Sequence, residues 1–194
     1  MVTGVNAVSA ASVSSGTSMT RDLSIAIGSA IFAAVIMTLG DFVWASQLLR
    51  HRMAYGLLHG AGLCLALGLA LGAPAKRPVT GAIGGLVVGI VAAASFYVLA
   101  PVMRYSAMFV SWILLWILLA LLDRMLHRGA SVTSALIRGV LAAVGSGVAF
   151  YAVSGMWNNW NPQTINYADH FMRWAIAFLP GFLALQLFSG RAAR

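Results

Sequence analysis

Residues 37–66 have the sequence MTLGDFVWASQLLRHRMAYGLLHGAGLCLA, in which two apolar stretches meet at a short basic corner. Both stretches belong to apolar runs long enough to form membrane-spanning helices, and each contains one ionisable side chain, Asp41 or His59. Asp41 lies nine residues before Arg50, and His59 lies nine residues after it. In an antiparallel hairpin that turns near Arg50, the two side chains would therefore lie at similar depth. We predict that this hairpin organises the rest of the chain.

The composition assigns the chain to a membrane. Of the 194 residues, 61% are hydrophobic and only 8% are charged, and glutamate is absent from the sequence. A soluble domain of this size needs far more polar surface. Runs of about 20 apolar residues match the roughly 30 Å hydrocarbon core of a bilayer, because a helix rises about 1.5 Å per residue. Several such runs are present, so we predict a polytopic membrane protein.

The apolar runs predict an all-α fold, a bundle of six transmembrane helices in a single domain that covers residues 21–190. The six predicted spans are, in chain order, residues 23–45, 53–72, 81–99, 106–125, 133–154 and 171–188. Residues 1–20 contain mostly small and polar side chains and no basic residue, which favours a disordered tail and makes Met19 an alternative start to Met1. Residues 191–194 form a short basic tail.

The third span contains a stripe of small residues. Gly81, Gly85 and Gly89 recur every four residues, so they share one face of a helix. Small residues at this spacing allow a second helix to approach closely within the membrane. We therefore predict that this face packs against a neighbouring helix, without any ligand. Cys64, the single cysteine, is predicted to be a buried small apolar residue.

The distribution of Lys and Arg predicts the orientation in the membrane. One side of the predicted bundle carries eight basic residues and the other side carries four. The first set is Arg21, Lys76, Arg77, Arg124, Arg128, Arg138, Arg191 and Arg194, and the second is Arg50, Arg52, Arg104 and Arg173. Because cytoplasmic loops are enriched in basic residues, both termini are predicted to be cytoplasmic, with the protein in the cytoplasmic (inner) membrane. The expected partners are membrane lipids, with anionic headgroups on the cytoplasmic side, and nucleic acid is not expected.

This topology brings a set of polar and aromatic residues to the outer side. We predict that they line a cavity that binds a small lipid or apolar ligand, in a protein without enzymatic activity. The candidate ligand-binding residues are Asp41, Trp44, Tyr55, His59, Tyr97, Arg104, Trp157 and Trp160. In this hypothesis the Asp41 carboxylate accepts a hydrogen bond from His59 or Tyr55, beneath a tryptophan-rich loop.

The same residues permit two other roles. Unpaired polar groups are costly in hydrocarbon, so a hydrogen bond between Asp41 and His59 or Tyr55 can simply fix the hairpin. Alternatively, Asp41 and His59 form a proton relay in a proton-coupled transporter or an intramembrane enzyme, since a histidine can exchange a proton with a carboxylate. In that alternative they would be the catalytic residues, and we predict no others.

The segment that leads into the sixth span is rich in polar and aromatic residues. Trp157 and Trp160 are expected to form an aromatic belt at the membrane surface, or else a lid. Asp169 is expected to be the N-cap of the sixth helix and to pair with Arg173 four residues later, and His170 to be an interfacial residue. We predict no cofactor and no metal, because metal centres need several convergent His, Glu or Cys ligands.

Parts of the C-terminal half resemble the Insig family of membrane proteins. The fourth span ends in Leu-Leu-Asp-Arg at residues 121–124 with basic residues after it, and residues 150–157 have the sequence FYAVSGMW. Six helices, cytoplasmic termini and the chain length are also similar to that family. The family's Arg-Ser-Trp-Leu-Pro motif is present here only as Arg173 and Trp174, with Pro180 further on. The resemblance implies a small lipid-binding membrane protein that forms homo-oligomers and has no catalytic activity.

Overall fold

The computed structural model describes residues 5–46, 51–104, 106–127, 131–153 and 166–187, and within these ranges the side chains of residues 19–186. This part of the chain forms six α-helices and contains no β-strand. The helices are α1 (Val5–Ala45), α2 (Arg52–Gly72), α3 (Pro78–Met103), α4 (Ser106–His127), α5 (Val132–Val153) and α6 (Tyr167–Leu187). The predicted all-α helical bundle is therefore confirmed.

The helix boundaries follow the predicted spans, with one difference at the N-terminus. The helices α2 to α6 each begin and end within a few residues of the predicted limits. In contrast, α1 begins at Val5 and includes most of the segment for which a disordered tail is predicted. That segment lacks proline and contains several alanines, which have the highest helix propensity, so it can continue the apolar helix that follows it.

Each helix packs against its neighbours in the sequence, and α1 closes the bundle against α6. The contact of α1 with α2 is much smaller, whereas α2 packs extensively against α3. Ala26, Ala30, Ala33 and Ala34 of α1 are buried and follow helical spacing along one face. Because α6 is the main neighbour of α1, this alanine face lies in the seam between α1 and α6.

The glycine stripe of α3 lies directly against α2, which confirms that this face packs against a neighbouring helix. Gly81, Gly85 and Gly89 are buried, and a Cβ at Gly85 would overlap the carbonyl oxygen of Cys64. On α2, a Cβ at Gly68 would likewise overlap the carbonyl oxygen of Gly81. The two backbones are in direct contact, which larger side chains would prevent. Cys64 is buried and free, as predicted.

Five helices, α1 to α5, contain a stretch long and apolar enough to cross a membrane. The sixth, α6, is not among them, and it contains polar side chains such as His170 and Arg173. It nevertheless runs the height of the bundle, because His170 bonds to Asp41 near the end of α1 and Leu185 bonds to Arg138 near the start of α5. Thus α6 is antiparallel to both neighbours, and the protein is a multi-pass membrane protein.

Candidate functional site

The Asp41 carboxylate lies in the seam between α1 and α6, about one helical turn before the end of α1. Its Oδ2 atom accepts a hydrogen bond from Nδ1 of His170 at 2.9 Å and another from the indole Nε1 of Trp174 at 2.8 Å. All three residues are buried, with exposed fractions of 7%, 5% and 4%. His170 and Trp174 are four residues apart, so one face of α6 presents both donors to the same oxygen. We call these three residues the Asp41 cluster, and the end of the bundle that holds them the Asp41 end.

The predicted hydrogen bond between Asp41 and His59 or Tyr55 is wrong. The similar depth is confirmed, because the His59 imidazole lies against Gly40, where a Cβ would overlap the ring. However, Asp41 points in a different direction around α1 from Gly40. Successive side chains on a helix with 3.6 residues per turn point about 100° apart. Gly40 therefore faces α2, while Asp41 shares a face with the buried Ala34 and points into the seam with α6.

His59 belongs to a separate polar contact on α2. Its Nδ1 atom shares a hydrogen bond of 2.8 Å with the hydroxyl of Tyr55, one turn earlier on the same helix. The Tyr55 ring lies 5.0 Å from the Trp44 ring of α1, centroid to centroid. The Nε2 atom of His59 is buried, and among the described residues no group forms a hydrogen bond of good geometry with it. The backbone of Ile36 on α1 lies near the imidazole ring. Trp44, Tyr55 and His59 thus form one chain of contacts beside the Asp41 cluster.

Tyr97 of α3 lies at the same end and donates a hydrogen bond of 2.8 Å from its hydroxyl to the backbone carbonyl of Arg52. Arg104 follows α3 with a positive φ of 51°, and it is exposed. Trp157 and Trp160, also predicted to bind ligand, lie outside the described residues. The structure therefore brings the other predicted ligand-binding residues to one end of the bundle, but it does not join them into a single site.

The start of α6 differs from the prediction at two residues. The N-cap is Asn166, whose Oδ1 accepts a hydrogen bond of 3.2 Å from the backbone N–H of Asp169, so Asp169 is not the cap. Asp169 does pair with Arg173, at 2.8 Å between Oδ2 and Nε, as predicted. His170, predicted to be interfacial, is instead buried and bonded to Asp41. The hydrogen bond between the imidazole and the carboxylate offsets the cost of burying both polar groups.

A second buried carboxylate, Asp123, lies near the end of α4 at the opposite end of the bundle. Its Oδ2 accepts a hydrogen bond of 3.0 Å from Nη1 of Arg138 on α5, and the same Nη1 donates to the carbonyl oxygen of Leu185 on α6, also at 3.0 Å. Its Oδ1 lies 3.1 Å from Nδ1 of His127. We call Asp123, His127 and Arg138 the Asp123 cluster, and this end of the bundle the Asp123 end.

The Asp123 cluster is not among the features predicted from the sequence, although the sequence contains a signal for it. Asp123 lies four residues before the end of α4 and Arg138 lies six residues after the start of α5, so a hairpin brings them to similar depth. The orientation count instead places Arg138 with the cytoplasmic loop residues. That placement is wrong, because Arg138 is only 2% exposed. Removing it from the count leaves the majority of basic residues on the predicted cytoplasmic side.

Aromatic side chains fill the interior between the two clusters. Trp112, Trp116, Phe178 and Phe182 contact one another with centroid distances from 5.2 to 6.4 Å. Trp116, Phe178 and Phe182 are completely buried. We call these four residues the aromatic layer. Along α6, Phe178 and Phe182 of this layer lie between Trp174 of the Asp41 cluster and Leu185, which bonds to Arg138 of the Asp123 cluster.

An apolar cavity of ≈210 Å³ lies among α2, α3 and α4. The residues that line it include Gly60, Cys64, Ala93, Phe96, Tyr97, Met108, Ser111 and Trp112. The hydroxyl groups of this lining are engaged within the protein: Tyr97 donates to the Arg52 carbonyl, and Ser111 bonds to the Ala107 carbonyl at 2.9 Å and to Ser95 at 2.8 Å. The cavity therefore presents mainly hydrocarbon surface to an occupant.

The apolar helices, their antiparallel packing and the buried polar contacts define an α-helical, multi-pass membrane protein. Within the residues that the structure describes, no group of three or more His, Cys, Asp or Glu side chains is placed to hold a metal ion. Comparison with protein-family models, curated proteins and solved structures found no match to this chain.

Proposed function

We propose that this membrane protein binds a small lipid or other apolar ligand, without enzymatic activity, in the cavity among α2, α3 and α4. The observation that carries the proposal is a space of ≈210 Å³, open towards the lipid-facing surface, with an almost entirely apolar lining. Protein interiors are packed nearly without voids, and an empty apolar cavity lowers stability. A hydrocarbon occupant restores the lost contacts and requires no new hydrogen bond.

The volume limits the size of the ligand. A cavity of roughly 150 Å³ lined by apolar side chains holds benzene. A space of ≈210 Å³ therefore accommodates one small ring or a short branched segment rather than a whole phospholipid. Phe96, Tyr97 and Met108 are partly exposed, so the cavity lies close to the lipid-facing surface. The rest of a longer molecule would extend from there into the bilayer.

The proposed site lies beside the one that the sequence predicts. The predicted outer-side cavity is bounded by Asp41, Tyr55, His59, Trp157 and Trp160. The cavity in the structure shares Tyr97 with the predicted ligand-binding residues, and it is also lined by Gly56, the neighbour of Tyr55. Asp41 instead bonds to α6, on the far side of α1, which explains why it does not line this cavity.

The substitution Ala93→Leu tests the proposal by filling the cavity. Ala93 lines the cavity, whereas the next residue, Ala94, does not, so Ala94→Leu is a matched control with the same added volume. Native mass spectrometry of the purified wild-type protein should show a bound mass of lipid or other apolar molecule. Ala93→Leu should lose that mass while retaining helical circular dichroism, and Ala94→Leu should retain it. Equal bound mass in both variants would contradict binding in this cavity.

We further propose that the protein resides in the cytoplasmic (inner) membrane with both termini in the cytoplasm. The distribution of Lys and Arg supports this orientation even without Arg138. Reporter fusions at Ala75, at Gly129 and at the C-terminus should report cytoplasm, and fusions at Arg50 and Pro162 should report the outside. An outside signal at Gly129 would contradict the orientation.

Two partners are proposed on the same grounds. Anionic lipid headgroups would contact the basic residues of the cytoplasmic side, since polybasic segments are attracted to anionic leaflets. A second copy of the chain is the other proposed partner, as the resemblance to the Insig family implies. Light scattering of the protein eluting from a sizing column should give a mass of at least two chains, and a single-chain mass would exclude the homo-oligomer.

A further inference from the structure

We propose that the group bound in the cavity among α2, α3 and α4 is a single aromatic ring. This inference rests on the proposed function, because it names the chemical class of the ligand for the same cavity. The volume of ≈210 Å³ alone admits either a small ring or a short branched segment of hydrocarbon. The side chains around the cavity favour the ring, and among rings they favour one with a π system.

Aromatic side chains line the cavity from two helices. On α3, the rings of Phe96 and Tyr97 contact each other edge to face, with 5.2 Å between their centroids. On α4, Trp112 lines the cavity and contacts Phe150 at 5.2 Å and Phe178 at 5.4 Å. Among the described residues, no ring contact joins the α3 pair to Trp112. The cavity therefore lies between two groups of rings that do not contact each other.

The seam between α2 and α3 supplies a wall of small residues. Gly60 of α2 and Gly89 and Ala93 of α3 line the cavity. A Cβ at Gly60 would lie 3.0 Å from the Cβ of Ala93 and 3.3 Å from the carbonyl oxygen of Gly89, so the two helices are in close contact here. Glycine and alanine have no side-chain rotamers to rearrange around a ligand. A planar ring can lie against this wall without displacing a side chain.

A ligand with a π system would connect the two groups of rings. Aromatic rings attract one another beyond the effect of buried area when their centroids are roughly 4.5–7 Å apart, and a methionine sulfur also contacts ring edges favourably. Met108 lines the same cavity. Because the Nε1 atom of Trp112 is buried, the part of the indole that lines the cavity is carbon. An aliphatic group of the same size would bury similar area but would lack these additional contacts.

Benzene and cyclopentane test the inference, because the two rings are similar in volume and only benzene has a π system. The full-length protein in nanodiscs of deuterated lipid would contain methionine labelled with carbon-13 at the methyl group. Met108 lines the cavity, and its signal is assigned by Met108→Leu. Nuclear Overhauser contacts from each ring to the Met108 methyl group measure occupancy. Concentrations are expressed as the mole fraction dissolved in the lipid, so unequal partitioning does not affect the comparison.

Benzene should half-saturate the Met108 contact at a mole fraction about two- to tenfold lower than that of cyclopentane, the range expected for one aromatic contact. Phe96→Leu should bring the two mole fractions closer together, because it replaces a lining ring with an aliphatic side chain. Phe109→Leu is the matched control, since Phe109 is exposed on α4 and does not line the cavity, and it should retain the wild-type preference. Each variant must show wild-type helicity by circular dichroism, and Trp112→Leu takes the place of Phe96→Leu if that variant does not fold.

Dodecylbenzene distinguishes the ring of a membrane lipid from a free small aromatic molecule. Phe96 and Met108 are partly exposed, so a chain attached to the bound ring would extend into the bilayer. Contacts from the ring of dodecylbenzene to Met108, as strong as those from benzene, would support a ring carried by a lipid. Contacts from benzene alone would support a free aromatic molecule.

Two results would overturn the aromatic inference and leave the cavity as an apolar binding site. One is half-saturation by benzene and cyclopentane at the same mole fraction in the wild type. The other is a preference for benzene that stays unchanged in both Phe96→Leu and Trp112→Leu. If neither ring contacts Met108 at saturation of the lipid, the proposed function itself is contradicted.

Discussion

Asp41 and Asp123 are both buried in this bundle, at opposite ends, and they bond to different kinds of side chain. Asp123 bonds to Arg138, whose guanidinium stays charged throughout the physiological pH range. Asp41 bonds to His170 and Trp174, neither of which is a permanent cation. The two ends of α6 are therefore held to neighbouring helices by contacts of different chemistry.

This difference indicates different roles for the two clusters. A carboxylate with a permanent cation as its partner remains charged and paired across the neutral range, so the Asp123 cluster fixes α4, α5 and α6 relative to one another. The Asp41 cluster holds α1 to α6 through two hydrogen bonds from α6 to a single carboxylate oxygen.

The largest effect is expected from Arg138→Leu, which would remove the buried guanidinium that donates a hydrogen bond to Asp123. Removing one partner of a buried ion pair costs about 3–5 kcal/mol of unfolding free energy. Arg21→Leu is a matched control, because Arg21 is exposed on α1 and should change stability by only about 0.5 kcal/mol or less. Reversible unfolding in detergent measures both. Equal stability of the two variants would remove the structural role assigned to the Asp123 cluster.

The next largest effect is expected at Gly85, where α3 packs against α2, the helix that carries His59. Gly85→Leu would force α2 and α3 apart, since even a Cβ at Gly85 overlaps the Cys64 carbonyl. Gly85→Leu should lower the free energy of unfolding by about 1–3 kcal/mol. The control Leu86→Ala, at the neighbouring and partly buried position, should lower it by less. The hydrogen bond from His170 to Asp41 should persist, because it joins α6 to α1. If thermal unfolding in detergent gives wild-type stability for Gly85→Leu, the two backbones are not in contact.

The smallest effect is expected at Asp169. This residue directly precedes His170 in the sequence, but its side chain is partly exposed. Its pair with Arg173 is a surface pair four residues apart on one helix, with side chains 43% and 35% exposed. Such pairs contribute about 0.3–0.5 kcal/mol. Asp169→Asn should therefore change the unfolding free energy by no more than that. A loss as large as that of Asp41→Asn would show that Asp169 belongs to the buried network.

Hydropathy and residue spacing predict the helices and the close contact between α2 and α3. The apolar runs locate the six helices, and the four-residue repeat of Gly81, Gly85 and Gly89 identifies the face that meets α2. These features are predictable because they depend on local sequence alone, through the length needed to cross a bilayer and the absence of side chains at regular intervals.

The partner of Asp41 is not predictable in the same way. Equal distances from the corner at Arg50 give Asp41 and His59 similar depth, which the contact of His59 with Gly40 confirms. They do not determine which helix lies opposite each face of α1. That depends on the closure of the bundle between α1 and α6, which joins Asp41 to a residue 129 positions later in the chain. The buried alanines of α1, which share a face with Asp41, are the sequence feature that points to this seam.

The most direct test of the account is a pair of double-mutant cycles that ask whether Asp41 is coupled to α6 or to α2. Asp41→Asn would be combined with His170→Gln in one cycle and with His59→Gln in the other, with unfolding free energies measured reversibly in detergent. Asp41→Asn alone should cost about 1–3 kcal/mol. The cycle with His170 should give a positive coupling of roughly 0.6 kcal/mol or more, and the cycle with His59 a clearly smaller one. Strict additivity with His170 together with strong coupling to His59 would contradict the assignment of Asp41 to the seam between α1 and α6.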